Sequence, residues 1–354
     1  MAENLPNTIR KIGPLDKKSM DEARARQDTL TKPQGSLGRL EELSIQLAGI
    51  QHRPIPRIED RAVITMAGDH GVVAEKVGNW PQEVTAQMVG NFLHGGAGIN
   101  VISRQVGARV VVVDMGVAGK LKANPKLISR KIAPGTQNMA AGPAMTKEQA
   151  IKAIETGIQI VTEEAAKGLD IVGTGDMGIG NTTASSAIFA ALTGKPVAEV
   201  TGRGTGIDDD LLAHKVAVIN KALSVNRPDP TQPLDVLAKV GGFEIGGLAG
   251  VMLGAASLHI PVVIDGFISG AAALIAISLA PALKDYLIAS HVSAESGHRL
   301  MLKQLGLRPL VDLELRLGEG TGAAIGIFLS ETAARTLAEM ATFAEAAVSE
   351  KNEE

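Results

Sequence analysis

Four uninterrupted apolar runs rich in β-branched residues punctuate the chain, and each ends on Gly and Asp: AVITMAGDHG (62–71), RVVVVDMG (109–116), LDIVGTGDMG (169–178) and PVVIDG (261–266). Runs without polar alternation mark strands covered on both faces, hence a parallel sheet joined by helical crossovers. Helical periods lie between them. In 146–165, Thr146 and Gln149 form a capping-box pattern, and Ile151, Ile154, Ile158 and Val161 share one face. The expected class is α/β: doubly wound, with a mostly parallel sheet and helices on both faces.

Both ends of the chain read differently. Residues 1–60 are charged and helical, with Ser36 as the expected N-cap of a helix whose stripe is Leu37, Leu40, Leu43 and Leu47. Residues 322–346 are again helical and lead into the solvated tail SEKNEE. The expected organisation is an N-terminal helical segment (1–60), an α/β nucleotide- and base-binding domain (61–300), and a C-terminal helical segment (301–354) that packs with the first as a smaller helical layer.

The scarcity of aromatics, six Phe with Tyr286 and Trp80, leaves the core to Ala, Val, Ile, Leu and Met, which suits helices packed closely on a parallel sheet. Between Glu244 and Lys284 the only formal charge is Asp265, yet Gly and Pro break this stretch below the ~20 residues that a spanning helix needs. No membrane partner is expected. With 35 Lys+Arg against 38 Asp+Glu the net charge is −3, which gives no electrostatic reason for a nucleic-acid partner. The absence of Cys excludes disulfides, Cys-ligated metals and thiol catalysis. The opening MAENLPNTIRKIGPLDKKSM lacks the apolar stretch of a signal peptide, so a cytoplasmic location is expected.

Ligands of open parallel sheets bind beyond the carboxyl ends of the strands, where the Gly/Asp clusters fall. The richest cluster is IVGTGDMGIGNTTASSAIFAAL (171–192), where a strand turns through glycines into a helix led by Asn181, Thr182 and Thr183. A helix N-terminus with hydroxyl and amide donors favours an anion, so this loop reads as a phosphate cradle. It matches G-x-G-x-x-G at Gly173, Gly175 and Gly178, but no clear acidic ribose partner follows. A second loop, TGRGTGIDDD (201–210), precedes a helix carrying Lys215, a candidate point charge for phosphate. Its acids Asp208, Asp209 and Asp210 read as complements of the helix dipole rather than metal ligands, and Asp69 with His70 reads as a hydrogen-bonded turn, so no metal and no cofactor are expected. In RLGEGTGAA (316–324), Glu319 between two glycines is a candidate general base or a helix N-terminal acid.

KPQGSLGRLE (32–41), AGDHGV (67–72), PQEVTAQMV (81–89), GDMGIGNTT (175–183), GRGTGIDD (202–209), KVGGFEIGGLAGVMLGAA (239–256), DGFISGAAAL (265–274), SHVSAE (290–295) and RLGEGTGAA together resemble, in order, the nicotinate-nucleotide:dimethylbenzimidazole phosphoribosyltransferase family. The resemblance implies transfer of ribose 5-phosphate from nicotinate mononucleotide to 5,6-dimethylbenzimidazole, giving the α-linked nucleotide of the cobalamin lower ligand. It implies Glu319 as the base and a homodimer with sites near the interface. The phosphate would lie on Gly178, Gly180, Asn181 and Thr182, with Lys215, Ser290 and Ser293 as further candidates. Trp80, Pro81, Met88 and Leu317 would supply apolar walls for the base. The family usually has Glu where this chain has Asp176, so a supporting role is expected there. A phosphoribosyl pyrophosphate enzyme would pair two adjacent acids after a strand, whereas Asp114 is followed by Met115. A non-catalytic nucleotide carrier is the reading from a different class.

Overall fold

The computed structural model describes residues 4–204 and 206–349, so Thr205 in the second glycine loop and positions 350–354 of the expected tail lie outside the described residues. Six strands form one sheet in the order β3-β2-β1-β4-β5-β6. They are β1 (Arg61–Gly68), β2 (Arg109–Gly116), β3 (Leu127–Ser129), β4 (Ile171–Met177), β5 (Val262–Ile264) and β6 (Leu287–Ala289). Every neighbouring pair is parallel. The chain runs outward from β1 through β2 to β3, then returns to β4 on the other side of β1. This is the doubly wound class, and its topological switch point lies between β1 and β4.

The absence of alternation in β1 follows from its two covered faces. Ala62, Ile64 and Met66 join one apolar cluster, and Val63 and Ala67 join another on the opposite side. Each such buried aliphatic side chain larger than Ala contributes about 1.5–3 kcal/mol. On the first face the helix Phe243–Ser257 is buried along its whole length between the sheet, the helix Lys147–Ala165 and the helix Phe267–Leu279. The backbones approach closely there: a methyl on Gly157 would lie 1.9 Å from the Gly247 carbonyl oxygen. No helix among the described residues is long and apolar enough to cross a membrane.

The second face is covered by the helices Arg39–Gln51, Glu83–His94, Gly98–Gln105 and Thr321–Glu339. The first and last of these pack on each other, and Arg26 from the preceding helix donates to the carbonyls of Leu337 and Ala338. Parts of the two ends therefore share this layer, whereas the first helix, Leu5–Lys11, packs on the opposite face against Lys147–Ala165 and Phe243–Ser257, so the expected N-terminal segment 1–60 is divided between the two faces.

Three expectations are corrected. The sheet has two further strands, β3 and β6, each only three residues long and so too short to set a period. Ser36 is not a cap: Gly38, at φ 50°, is the N-cap of Arg39–Gln51, and Ser36 and Leu37 lie in the turn before it. The Leu37 amide is held by Glu41, whose carboxylate also pairs with Lys32 at 2.8 Å. The C-terminal helix stops at Glu339, because Met340 is extended, and a separate short helix follows at Phe343–Ala346.

Candidate active site

The carboxyl ends of the strands deliver Asp69 and His70 after β1, Asp176 in β4, Asp265 after β5 and Ser290 after β6 to one edge of the sheet. After β4 the chain crosses the end of β1 so closely that a methyl on Gly178 would lie 2.3 Å from the Gly68 carbonyl oxygen. It then enters the helix Asn181–Thr193 through Gly180, whose φ of 94° suits a residue without Cβ. The Ile179 amide is fastened to Thr85 Oγ1 at 3.1 Å.

The N-terminal end of that helix borders a cleft that brings together Gly178, Gly180, Asn181, Thr182 and Lys215. Lys215 Nζ, on a nearly fully buried side chain, donates to Thr182 Oγ1 at 2.9 Å and to the Gly202 carbonyl at 3.4 Å. It has no carboxylate within ion-pair distance among the described residues. Burial lowers its pKa to about 8, opposed by the charge of Glu295. A buried cation beside a helix N-terminus, with a hydroxyl at its tip, has the chemistry to hold an anion. Arg203 and Gly204 close the cleft, and Trp80, 52% exposed, stands at its rim.

Asp176 joins this cleft to a second turn. Its Oδ2 accepts from Asn181 Nδ2 at 3.0 Å and would lie 3.2 Å from a methyl on Gly318. Burial, and then the charges of Asp265, Glu244 and Glu319, hold its carboxyl well above the usual range, against the Asn181 hydrogen bond. Glu319 follows directly, with its amide on the Asp176 carbonyl at 3.2 Å and its own carbonyl accepting from Thr65 Oγ1 at 2.9 Å. Its carboxylate is buried, and Oε2 takes the Ile99 amide hydrogen at 3.0 Å, at the start of the helix Gly98–Gln105. Burial raises its pKa, and hydrogen bonds from Ile99 and Gly98 counter part of that rise. A carboxylate oriented in this way is suited to take a proton.

Asp265 and Glu244 carry no role in the sequence reading, although each is a lone acid in a charge-poor stretch. Asp265 ties down the turn beyond Glu319 by accepting from Gly320 N at 3.2 Å and Ala323 N at 3.0 Å. Burial raises its pKa to about 7, against those amides. Glu244, in the first turn of Phe243–Ser257, meets His70 Nε2 at 2.6 Å.

Other candidates fall elsewhere. The Ser290 hydroxyl is fully buried, donates to the Asp265 carbonyl at 3.3 Å and meets His291 Nδ1, so it does not line the Lys215 cleft. Ser293 lines a different depression with Glu295, Arg299 and Asp312. Leu317, 60% exposed, lies beside Gly98, Pro81 is exposed next to Trp80, and Met88 is half-buried against the core. These four residues do not form one closed pocket within the single chain. Asp208 caps its helix through Leu211 N, whereas Asp209 pairs with Arg203. Asp114 turns back onto the amides of Gly116 and Val117, so it does not present an acid to a pyrophosphate.

The phosphoribosyltransferase family model matches residues 12–348. A nicotinate-nucleotide–dimethylbenzimidazole phosphoribosyltransferase from Roseiflexus sp. (strain RS-1) is 61% identical over 349 residues, 99% of each chain. The enzyme of that name from Desulforudis audaxviator (strain MP104C) is 60% identical over 346 residues, 98% of each chain. The crystal structure of the Thermus thermophilus enzyme superposes with a TM-score of 0.90 at 47% identity, covering 95% of this chain and 100% of that one. On this full-length similarity, the chain belongs to the nicotinate-nucleotide:dimethylbenzimidazole phosphoribosyltransferase family.

Proposed function

We propose that the protein transfers ribose 5-phosphate from nicotinate mononucleotide to 5,6-dimethylbenzimidazole, releasing nicotinate and forming α-ribazole 5′-phosphate for the lower ligand of cobalamin. The observation that carries this reading is the pairing of an anion cleft at Thr182 and Lys215 with a buried, amide-oriented carboxylate at Glu319, linked through Asp176. The 5′-phosphate lies on Gly178, Gly180, Asn181, Thr182 and Lys215. Ser290 and Ser293 are left out of this set because neither borders the cleft.

The glycosidic nitrogen of the donor is cationic and leaves as a neutral pyridine nitrogen, so no general acid is needed. The acceptor must lose its N–H proton as its other nitrogen attacks the anomeric carbon, and one base suffices. Glu319 is that base: Oε2 stays on the Ile99 amide while Oε1 takes the proton. A single in-line displacement inverts β to α. Asp176 supports the turn between the two halves of the site. Trp80, Pro81, Met88 and Leu317 supply apolar walls for the base. The exposure of Leu317, Val101 and Phe328 supports the homodimer that the family resemblance implies, and the protein acts in the cytoplasm.

The test is incubation with both substrates after exhaustive chelation, followed by chromatography for nicotinate and the α-linked nucleotide. Formation of both is expected. Tight binding of the mononucleotide without nicotinate release would instead mark a carrier, and activity restored only by magnesium with phosphoribosyl pyrophosphate would mark the other transferase class.

A further inference from the structure

One buried pair of a histidine and a glutamate has no place in that chemistry. His70 Nε2 and Glu244 Oε1 are 2.6 Å apart, on side chains 1% and 0% exposed. They are distant in the sequence, one from the turn after β1 and the other from the first turn of the helix Phe243–Ser257. Both lie directly under the glycine loop. A methyl on Gly178 would sit 3.4 Å from His70 Nε2 and 3.5 Å from Glu244 Oε1, and one on Gly180 would sit 3.2 Å from His70 Cβ. From the other side the pair is enclosed by Gly242 and Gly68, where added methyls would lie 2.4 Å from His70 Cε1 and 2.8 Å from Glu244 Oε2.

A buried pair of this kind is a poor source of stability, since an apolar pair of equal volume generally serves the core as well. Glu244 Oε2 also lacks a hydrogen-bond partner, a further cost. What the pair does supply is one fixed geometry. The short bond locks the imidazole ring, so that Gly178 faces the bonded Nε2 and Oε1 atoms while Gly180 lies over the Cβ of the same histidine and Val73. The Glu244 carboxylate is favoured at the N-terminus of its helix. Burial pulls the imidazolium of His70 down, but the adjacent carboxylate more than restores it, and the net shift is upward.

We propose that His70 and Glu244 are a positioning pair for the glycine loop, holding Gly178 and Gly180 at the height that binds the phosphate of the mononucleotide. The proposal rests on the phosphate lying in the Lys215 cleft, as set out above. Loss of either partner lets the loop settle, which weakens binding of the phosphate-bearing substrate while the acceptor and the base remain in place.

The test compares steady-state constants of the full-length enzyme carrying Glu244→Gln or His70→Gln with those of Lys215→Met. Each single variant of the pair is expected to raise KM for nicotinate mononucleotide about tenfold, and the double variant no further, because the two act as a unit. KM for dimethylbenzimidazole should stay within about twofold and kcat within about threefold. A role in folding alone would lower the melting temperature and the active fraction, hence kcat, without moving either KM. That result overturns the proposal. Should the single variants fail to fold, the double variant His70→Leu with Glu244→Met removes both polar groups at once. It should show the same rise in KM, and a wild-type KM would refute the pair's role. If Lys215→Met leaves KM for the mononucleotide unchanged, the phosphate is misplaced and the underlying reading fails. If Lys215→Met raises that KM and the pair variants do not, only the positioning proposal fails.

Discussion

The main chain of Glu319 hangs from that of Asp176, with the Glu319 amide donating to the Asp176 carbonyl at 3.2 Å. The turn that carries the proposed base is thereby fixed to β4 itself, ahead of the glycine loop. The side chains diverge from this tether, Asp176 toward Asn181 and Glu319 toward Ile99.

Asp176 is accordingly expected to support rather than react. Its carboxyl is held well above the usual range by burial and by three acidic neighbours, so a neutral Asn imitates its protonated form. Asp176→Asn and Asp176→Glu should each leave turnover within about tenfold of wild type, under about 1.4 kcal/mol in barrier. Steady-state kcat at saturating substrates checks this.

Gly98 sets the seat of Glu319. A methyl there would lie 2.8 Å from Leu317 Cδ2 and 3.3 Å from Glu319 Oε2, so Gly98→Ala must push the carboxylate aside by a few tenths of an ångström. Given the sensitivity of reacting groups to position, kcat should fall on the order of tenfold. Leu317→Ala in the same chain should not restore it, because the contact with Glu319 remains. Full recovery in that double variant would place the damage in the Leu317 contact.

The pH dependence of kcat/KM for nicotinate mononucleotide should be bell-shaped. Glu319 works ionised and its pKa is raised by burial, so activity is lost as pH falls through a value above the ordinary 4.5. Lys215 works protonated with a pKa of about 8, so phosphate capture is lost as pH rises through that value. Glu319→Gln should erase the acidic limb, and Lys215→Arg the alkaline one. A profile with both limbs unchanged in these variants would reassign them.

The strands that carry the site were legible because burial on both faces removes alternation, and their closing Gly and Asp residues mark the ligand edge. Most of the proposed phosphate cleft could be read because its parts are contiguous in 178–182, with one distant lysine. Partnerships across the fold were not. His70 and Glu244 are 174 positions apart, and nothing in local spacing joins them. The available signal was negative: Glu244 and Asp265 are lone acids in segments otherwise fit only for burial, and a buried acid needs a partner. Ser290 shows the converse. Its hydroxyl is consumed by the adjacent His291 and by the Asp265 carbonyl, which a motif does not reveal.

The central claim, that Glu319 takes the acceptor proton, is tested most directly by kcat of Glu319→Gln, which keeps the side-chain shape but removes the basic oxygen. A positioned general base contributes about 10²–10⁴-fold, so kcat should fall by that range while KM for nicotinate mononucleotide changes less than about threefold. Wild-type turnover in this variant, or a smaller loss than that of Asp176→Asn measured beside it, would contradict the account and move the base onto the glycine loop.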